Sequence, residues 1–196
     1  MFDKVSVRER EGVSLCKKYF HVDAAHVLDP TMLLTSEHYV RLFQLANTPK
    51  HKGSLMTYVL DNTDVVNEMI DKISKENGWT VFETNAKIMD PNAPIEERVQ
   101  RPVEEWLRGF YDAKFIVTDS FHACVFSILF NKPFLVVGNK SRGMSRIESL
   151  LSLFGLESCI VYDNTNLNLN KIDWDYVNKK LSELRVESMK MFDILK

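Results

Sequence analysis

Apolar and polar residues alternate over 4–8 (KVSVR), a β-branched run whose period of two predicts a strand. The period then lengthens. Val13, Cys16 and Phe20 recur at helical spacing through 11–20 (EGVSLCKKYF). This exchange of periods repeats down the chain. Strands are predicted at 24–29, 55–60, 79–84, 114–119, 133–138 and 158–163. Helices are predicted at 36–46, 64–77, 103–113, 120–131 and 145–155. A long amphipathic helix over 172–196 closes the chain through Val177, Leu181, Leu184 and Ser188. Ser36 and Ser145 stand at helix starts, Asp61 to Thr63 supply a turn and cap, and Gly78 and Gly155 stand at helix ends. Residues 85–102 carry three prolines and no clean period, so they read as a long surface loop with room for a short helical turn. Loops of that length are often functional.

About seven strands alternating with helices are the mark of an α/β fold with a Rossmann-like, doubly wound, mainly parallel sheet. No internal repeat, low-complexity tract or linker divides the chain, so a single domain over 1–196 is expected. The composition agrees: 196 residues, 45% hydrophobic and 27% charged, describe a soluble domain with a real core. The formal charge of −2 sets up no field for nucleic acid or an anionic membrane, so an anion site must be local. The three cysteines, Cys16, Cys124 and Cys159, lie too far apart for a disulfide framework or zinc spacing and read as small buried thiols. His21, His26, His38 and His51 show no ligating spacing, and no metal is expected. With no signal peptide at its start and no apolar run of membrane-spanning length, the chain is expected in the cytoplasm.

Ligands of an open parallel sheet bind outside the carboxyl ends of its strands. Three strand-to-helix turns carry unusual chemistry, and all three are expected on one sheet edge. After the first strand come Arg8 and Arg10, whose guanidinium groups suit a carboxylate or phosphate unless Glu9 or Glu11 pairs with them. After the strand at 114–119 come Ser120, Phe121 and His122. Thr118, Asp119 and Ser120 are all cap formers, so His122 falls in the first helical turn, where free N–H groups favour an anion and an imidazole can donate a hydrogen bond or a proton. The plainer alternative is a packed histidine bonded to a carbonyl. Phe121, Cys124, Val125, Ile128 and Leu129 form one apolar face of this helix. Phe126 and Phe130 share the His122 side, so the helix must be covered twice. After the strand at 133–138 come Lys140, Arg142 and Arg146 around Gly143, with Ser145 as cap. The spacing is not that of a P-loop, and no GxSxG surrounds Ser120.

The segments VSVRERE, VLDPTMLL, PVEEWLRGFYDAKFIVTDSFHACVFSILFNKPFLVV and NKSRGMSRIESLLSLFGL, taken in order, resemble the polysaccharide pyruvyl transferase family, most specifically in TDSFHACVFSILFNKPF. The resemblance implies the architecture of GT-B transferases, in which two Rossmann-like lobes face each other across a cleft. This chain resembles the C-terminal lobe, with the N-terminal lobe as its missing partner. It also implies transfer of a pyruvyl group from phosphoenolpyruvate, or a similar phosphorylated donor, to a sugar acceptor in bacterial exopolysaccharide or capsule assembly, without metal or organic cofactor. On the matching positions Arg8 would hold the donor anion. Ser120, Phe121 and His122 would form the donor-side turn, with His122 as hydrogen-bond donor or general acid. Some branches carry Arg-Leu-His where this chain has Ser-Phe-His, so Ser120 removes one cation, which Arg142 or Arg146 would replace. Ala123 stands where glycine is usual. Two other functions fit the same residues: a GT-B glycosyltransferase lobe that binds a nucleotide sugar, and a non-catalytic α/β module that binds a phosphorylated ligand.

Overall fold

The computed structural model describes residues 3–86, 91–139, 144–164, 167, 169 and 171–195, with side chains described through 192. In chain order its elements begin with β1 (Ser6–Val7), α1 (Arg10–Leu15), β2 (Ala25–His26), α2 (Ser36–Leu45), β3 (Leu55–Tyr58), α3 (Asp64–Asn77) and β4 (Val81–Glu83). They continue with α4 (Ile95–Arg98), α5 (Val103–Asp112), β5 (Phe115–Thr118), α6 (Phe121–Leu129), β6 (Phe134–Val137), α7 (Ser145–Phe154), β7 (Ile160–Val161) and α8 (Trp174–Met189). The chain divides into two compact units. One comprises Ser36–Asn139 and Cys159–Lys171, the other Met1–Thr35, Lys140–Ser158 and Ile172–Lys196.

The first unit holds a five-stranded, all-parallel sheet in the order β4-β3-β5-β6-β7. Register follows the pleat: Leu55 lies beside Val81 and Phe115, and Tyr58 beside Thr118. Every residue of β5 and β6 is buried, as parallel strands covered on both faces must be. On one face Leu55, Phe115, Val117 and Leu135 pack with Val66, Met69 and Ile73 of α3. That helix is capped at its start by Thr63, whose hydroxyl accepts the Val66 N–H, and ends at Gly78 in the left-handed region, φ 62°. On the other face α5 lies close. A Cβ on Gly109 would come 3.3 Å from Met56 and 2.8 Å from Thr84 Cγ2, so only glycine fits this contact. Helices thus flank both faces, and the doubly wound fold expected from the alternating periods is present.

The second apolar flank of α6 is covered within this unit. The Phe126 ring meets Tyr39 at 4.9 Å, Trp106 at 5.0 Å and Phe110 at 5.8 Å. All of α6 from Ala123 to Leu129 is buried.

In the other unit, among the described residues, β1 pairs in parallel with β2 alone, Ser6 beside Ala25 and Val7 beside His26. This corrects the expectation that the first two strands join the main sheet. Each has two residues, and the segment beyond β2 is bound to α8 instead: Ser188 Oγ accepts the Leu28 N–H at 3.0 Å, and Arg185 donates to the carbonyls of Met32 and Leu34 at 2.6 Å each. Two further boundaries differ, while the short helical turn for which the long loop has room is present. Ser145 is the first residue of α7 rather than its cap, since Met144 occupies the cap position with helical φ and ψ. The closing helix ends at Met189 and continues as 3-10 turns over Lys190–Leu195. The long loop contains α4, a single helical turn.

Candidate functional site

The order of the main sheet reverses between β3 and β5, the switch point at which open α/β sheets leave a crevice beyond their strand ends. The residues that follow each strand therefore decide what this edge can bind. Asp119, directly after β5, turns both carboxylate oxygens onto the exit of β3: Oδ1 accepts the Leu60 N–H at 2.8 Å and Oδ2 the Asp61 N–H at 2.9 Å. Thr118 Oγ1 donates to the Tyr58 carbonyl at 2.6 Å and accepts the Ser120 N–H at 3.0 Å. Asn139, beyond β6, donates through Nδ2 to Asp61 Oδ2 at 2.8 Å, and Asn85, beyond β4, donates through Nδ2 to the Val59 carbonyl at 2.6 Å. Burial pushes the Tyr58 phenol above its ordinary value and the nearby Asp119 charge adds to the shift, so Tyr58 stays a neutral hydroxyl.

Ser120, Phe121 and His122 sit together at this edge, where α6 begins. Ser120 has the extended backbone of a cap residue, yet among the described residues no side chain caps α6. The cap formers seen in the sequence are engaged elsewhere: Thr118 holds the Tyr58 carbonyl and Asp119 holds the β3 exit. Phe121 is buried, and its ring stands edge-on to the His122 imidazole at 5.3 Å. His122 is the exposed residue of a helix otherwise buried from end to end. Burial pushes the Cys124 thiol upward and the Cys159 thiol to about 11, leaving neither as a nucleophile, while Cys16 is half-buried.

Arg8 and Arg146 belong to the other unit. Arg8 Nη1 donates to Asp29 Oδ2 at 2.6 Å, so its acidic partner is Asp29 rather than a neighbouring glutamate. Burial pushes Asp29 upward, but its hydrogen bonds from Thr31 and Arg8 outweigh that and hold the carboxyl below the usual range. Arg8 also lines a cavity of about 400 Å³, whose other walls include Val7, Leu28, Leu33 and Phe192. Arg146 is an exposed residue in the first turn of α7. Arg142 lies outside the described residues. β1, which Arg8 follows, is not a strand of the five-stranded sheet.

Sequence reasoning sought cations on this edge and passed over its carboxylates and amides. Asp61, Asn85, Asp119 and Asn139 each stand one to three residues past a strand end, and that position was the signal available. Among the described residues no cluster of three or more His, Cys, Asp or Glu could hold a metal ion, and no helix is long and apolar enough to cross a membrane.

No curated protein matches the chain. The profile of the polysaccharide pyruvyl transferase family matches residues 1–141. The match takes in β1, the whole of β3 through β6 and the Ser120–His122 turn, and it ends before Arg142 and Arg146. With most of its length matched, this chain belongs to the polysaccharide pyruvyl transferase family.

Proposed function

We propose that this chain is the donor-binding lobe of a pyruvyl transferase that moves the pyruvyl group of phosphoenolpyruvate onto a sugar, in the cytoplasmic assembly of a bacterial exopolysaccharide or capsule. The chemistry begins with protonation of the enol methylene carbon, which leaves an oxocarbenium-like centre. One sugar hydroxyl adds to that centre, phosphate departs, and a second hydroxyl closes the ketal. Phosphoenolpyruvate and a diol become the pyruvate ketal and inorganic phosphate, and the two hydroxyl protons balance the proton added to carbon and the one carried off by phosphate.

The observation that carries this reading is the His122 imidazole, exposed on an otherwise buried helix at the carboxyl edge of a parallel sheet. A helix start offers N–H groups to an anion, and an imidazole there can donate a hydrogen bond to the donor or act as its acid. Ser120 and Phe121 shape the turn that presents it. Arg8 is assigned to the donor's anionic groups, and its guanidinium is already held in one orientation by Asp29. Arg142 and Arg146 are assigned the charge that Ser120 does not supply.

Thermal denaturation with phosphoenolpyruvate, a nucleoside diphosphate or free phosphate tests the reading. A ligand present at 100 times its Kd adds about 2.7 kcal/mol of stability. Stabilisation by phosphoenolpyruvate that disappears in His122→Ala is expected. A response confined to nucleotides would sink the proposal and favour a nucleotide-sugar transferase.

A further inference from the structure

Asp119 stands between β5 and α6, yet it bonds to the exit of another strand. Both its oxygens accept consecutive backbone N–H groups beyond β3, from Leu60 at 2.8 Å and from Asp61 at 2.9 Å. Thr118 makes the same choice. Its hydroxyl donates to the Tyr58 carbonyl at 2.6 Å and accepts the Ser120 N–H at 3.0 Å. Both residue types are strong helix caps, but among the described residues no side chain caps α6. Their bonds fix where the turn stands relative to β3. A local cap would have stabilised the helix without placing it.

The segment that Asp119 grips is itself held from a third strand. β5 lies between β3 and β6, yet Asp61 Oδ2 accepts from Asn139 Nδ2 at 2.8 Å. This bond therefore joins the exits of two strands that are not neighbours in the sheet. The turn after β5 is tied to that frame, and its next residues are Ser120, Phe121 and His122. Phe121 is buried, and its ring stands edge-on to the imidazole at 5.3 Å. His122 is exposed, so its place is set by the backbone turn that carries it and by the Phe121 ring. Such placement matters, because a shift of about 1 Å can cost a reacting group roughly 100-fold in rate.

We infer that Asp119 is a positioning residue: through its two bonds to the β3 exit it sets the place at which the α6 turn presents the His122 imidazole. The inference deepens the transferase reading and rests on it where the ligand at His122 is taken to be phosphoenolpyruvate. The hold of Asp119 on the turn stands without it.

The test compares the ¹⁵N-labelled natural chain with Asp119→Ala, Asp119→Asn and Ser74→Ala. The last is a control for stability alone, since Ser74 Oγ donates to the Trp79 carbonyl at 2.7 Å, at the amino end of β4. Two quantities are read: the backbone order parameters of Phe121 and His122, and the phosphoenolpyruvate affinity from thermal denaturation. Order parameters near 0.85 are expected in the natural chain and in Ser74→Ala, falling below about 0.6 in Asp119→Ala. Asp119→Asn, which keeps one acceptor oxygen, should fall between, and it carries the comparison if Asp119→Ala does not fold. Phosphoenolpyruvate should bind Asp119→Ala about tenfold more weakly, the worth of one hydrogen bond to a charged group, and Ser74→Ala as it binds the natural chain. Order parameters that stay unchanged in Asp119→Ala and Asp119→Asn overturn the inference. So does equal loosening in Ser74→Ala, or a turn already mobile in the natural chain. A natural chain that ignores phosphoenolpyruvate sinks the transferase reading, while the order parameters still decide the role of Asp119. Equal phosphoenolpyruvate binding by the natural chain and Asp119→Ala overturns the inference and leaves that reading standing.

Discussion

Asp119 Oδ2 accepts the backbone N–H of Asp61 at 2.9 Å, and the partner oxygen accepts the neighbouring Leu60 N–H at 2.8 Å. One carboxylate thus ties the start of α6 to the exit of β3, across the point where the strand order reverses. Asp119→Ala removes both bonds and leaves two backbone N–H groups to find water. A loss of about 1–2 kcal/mol is expected, read as a lower urea midpoint at unchanged m-value. Asp119→Asn keeps one acceptor oxygen and should lose about half as much.

His122 makes the opposite prediction. Its side chain is exposed, so His122→Ala should change stability by no more than about 0.5 kcal/mol. Transferase activity and the thermal response to phosphoenolpyruvate should nevertheless disappear. A large drop in melting temperature would show a structural imidazole instead.

The Arg8–Asp29 pair gives a pH dependence with a defined sign. The folded carboxyl lies below its ordinary value, so its contribution is fully present above the unfolded pKa of about 3.9 and is lost as pH falls through the folded value. The gap in melting temperature between the natural chain and Asp29→Asn should therefore close in acid. Arg8→Ala at neutral pH leaves Asp29 buried without its guanidinium and should cost about 2–3 kcal/mol.

The cysteines differ by exposure. Cys16 is half-buried, whereas Cys124 and Cys159 are buried and their thiols are pushed upward. A thiol reagent at mildly alkaline pH should label the native chain first at Cys16 and reach the other two only on unfolding, as mass spectrometry of digested protein would show.

Much of this was legible from local pattern. Thr63 and Gly78 bracket α3 as their side-chain chemistry dictates, because capping depends on residues three or four apart. The placement of His122 in the first turn of α6 followed from three cap formers in a row, although none of them caps the helix by its side chain. Thr118 and Asp119 found partners in β3 and its exit, between 58 and 60 residues away in sequence, and no local pattern records such a choice.

The sequence by itself determined the exchange of periods, hence a parallel α/β sheet with helices on both faces, the family, and a histidine at a strand-to-helix turn. Hydrophobic periodicity and capping are short-range, and they act before any partner strand is chosen. Tertiary structure alone decided that β1 pairs only with β2 and that Arg8 answers to Asp29. It also decided that a carboxylate and amide network joins the strand ends at the switch point, and that the Trp106 ring packs edge-on to Tyr58. Strand pairing and buried hydrogen bonds depend on which distant segments approach, and that is settled only when the whole chain packs.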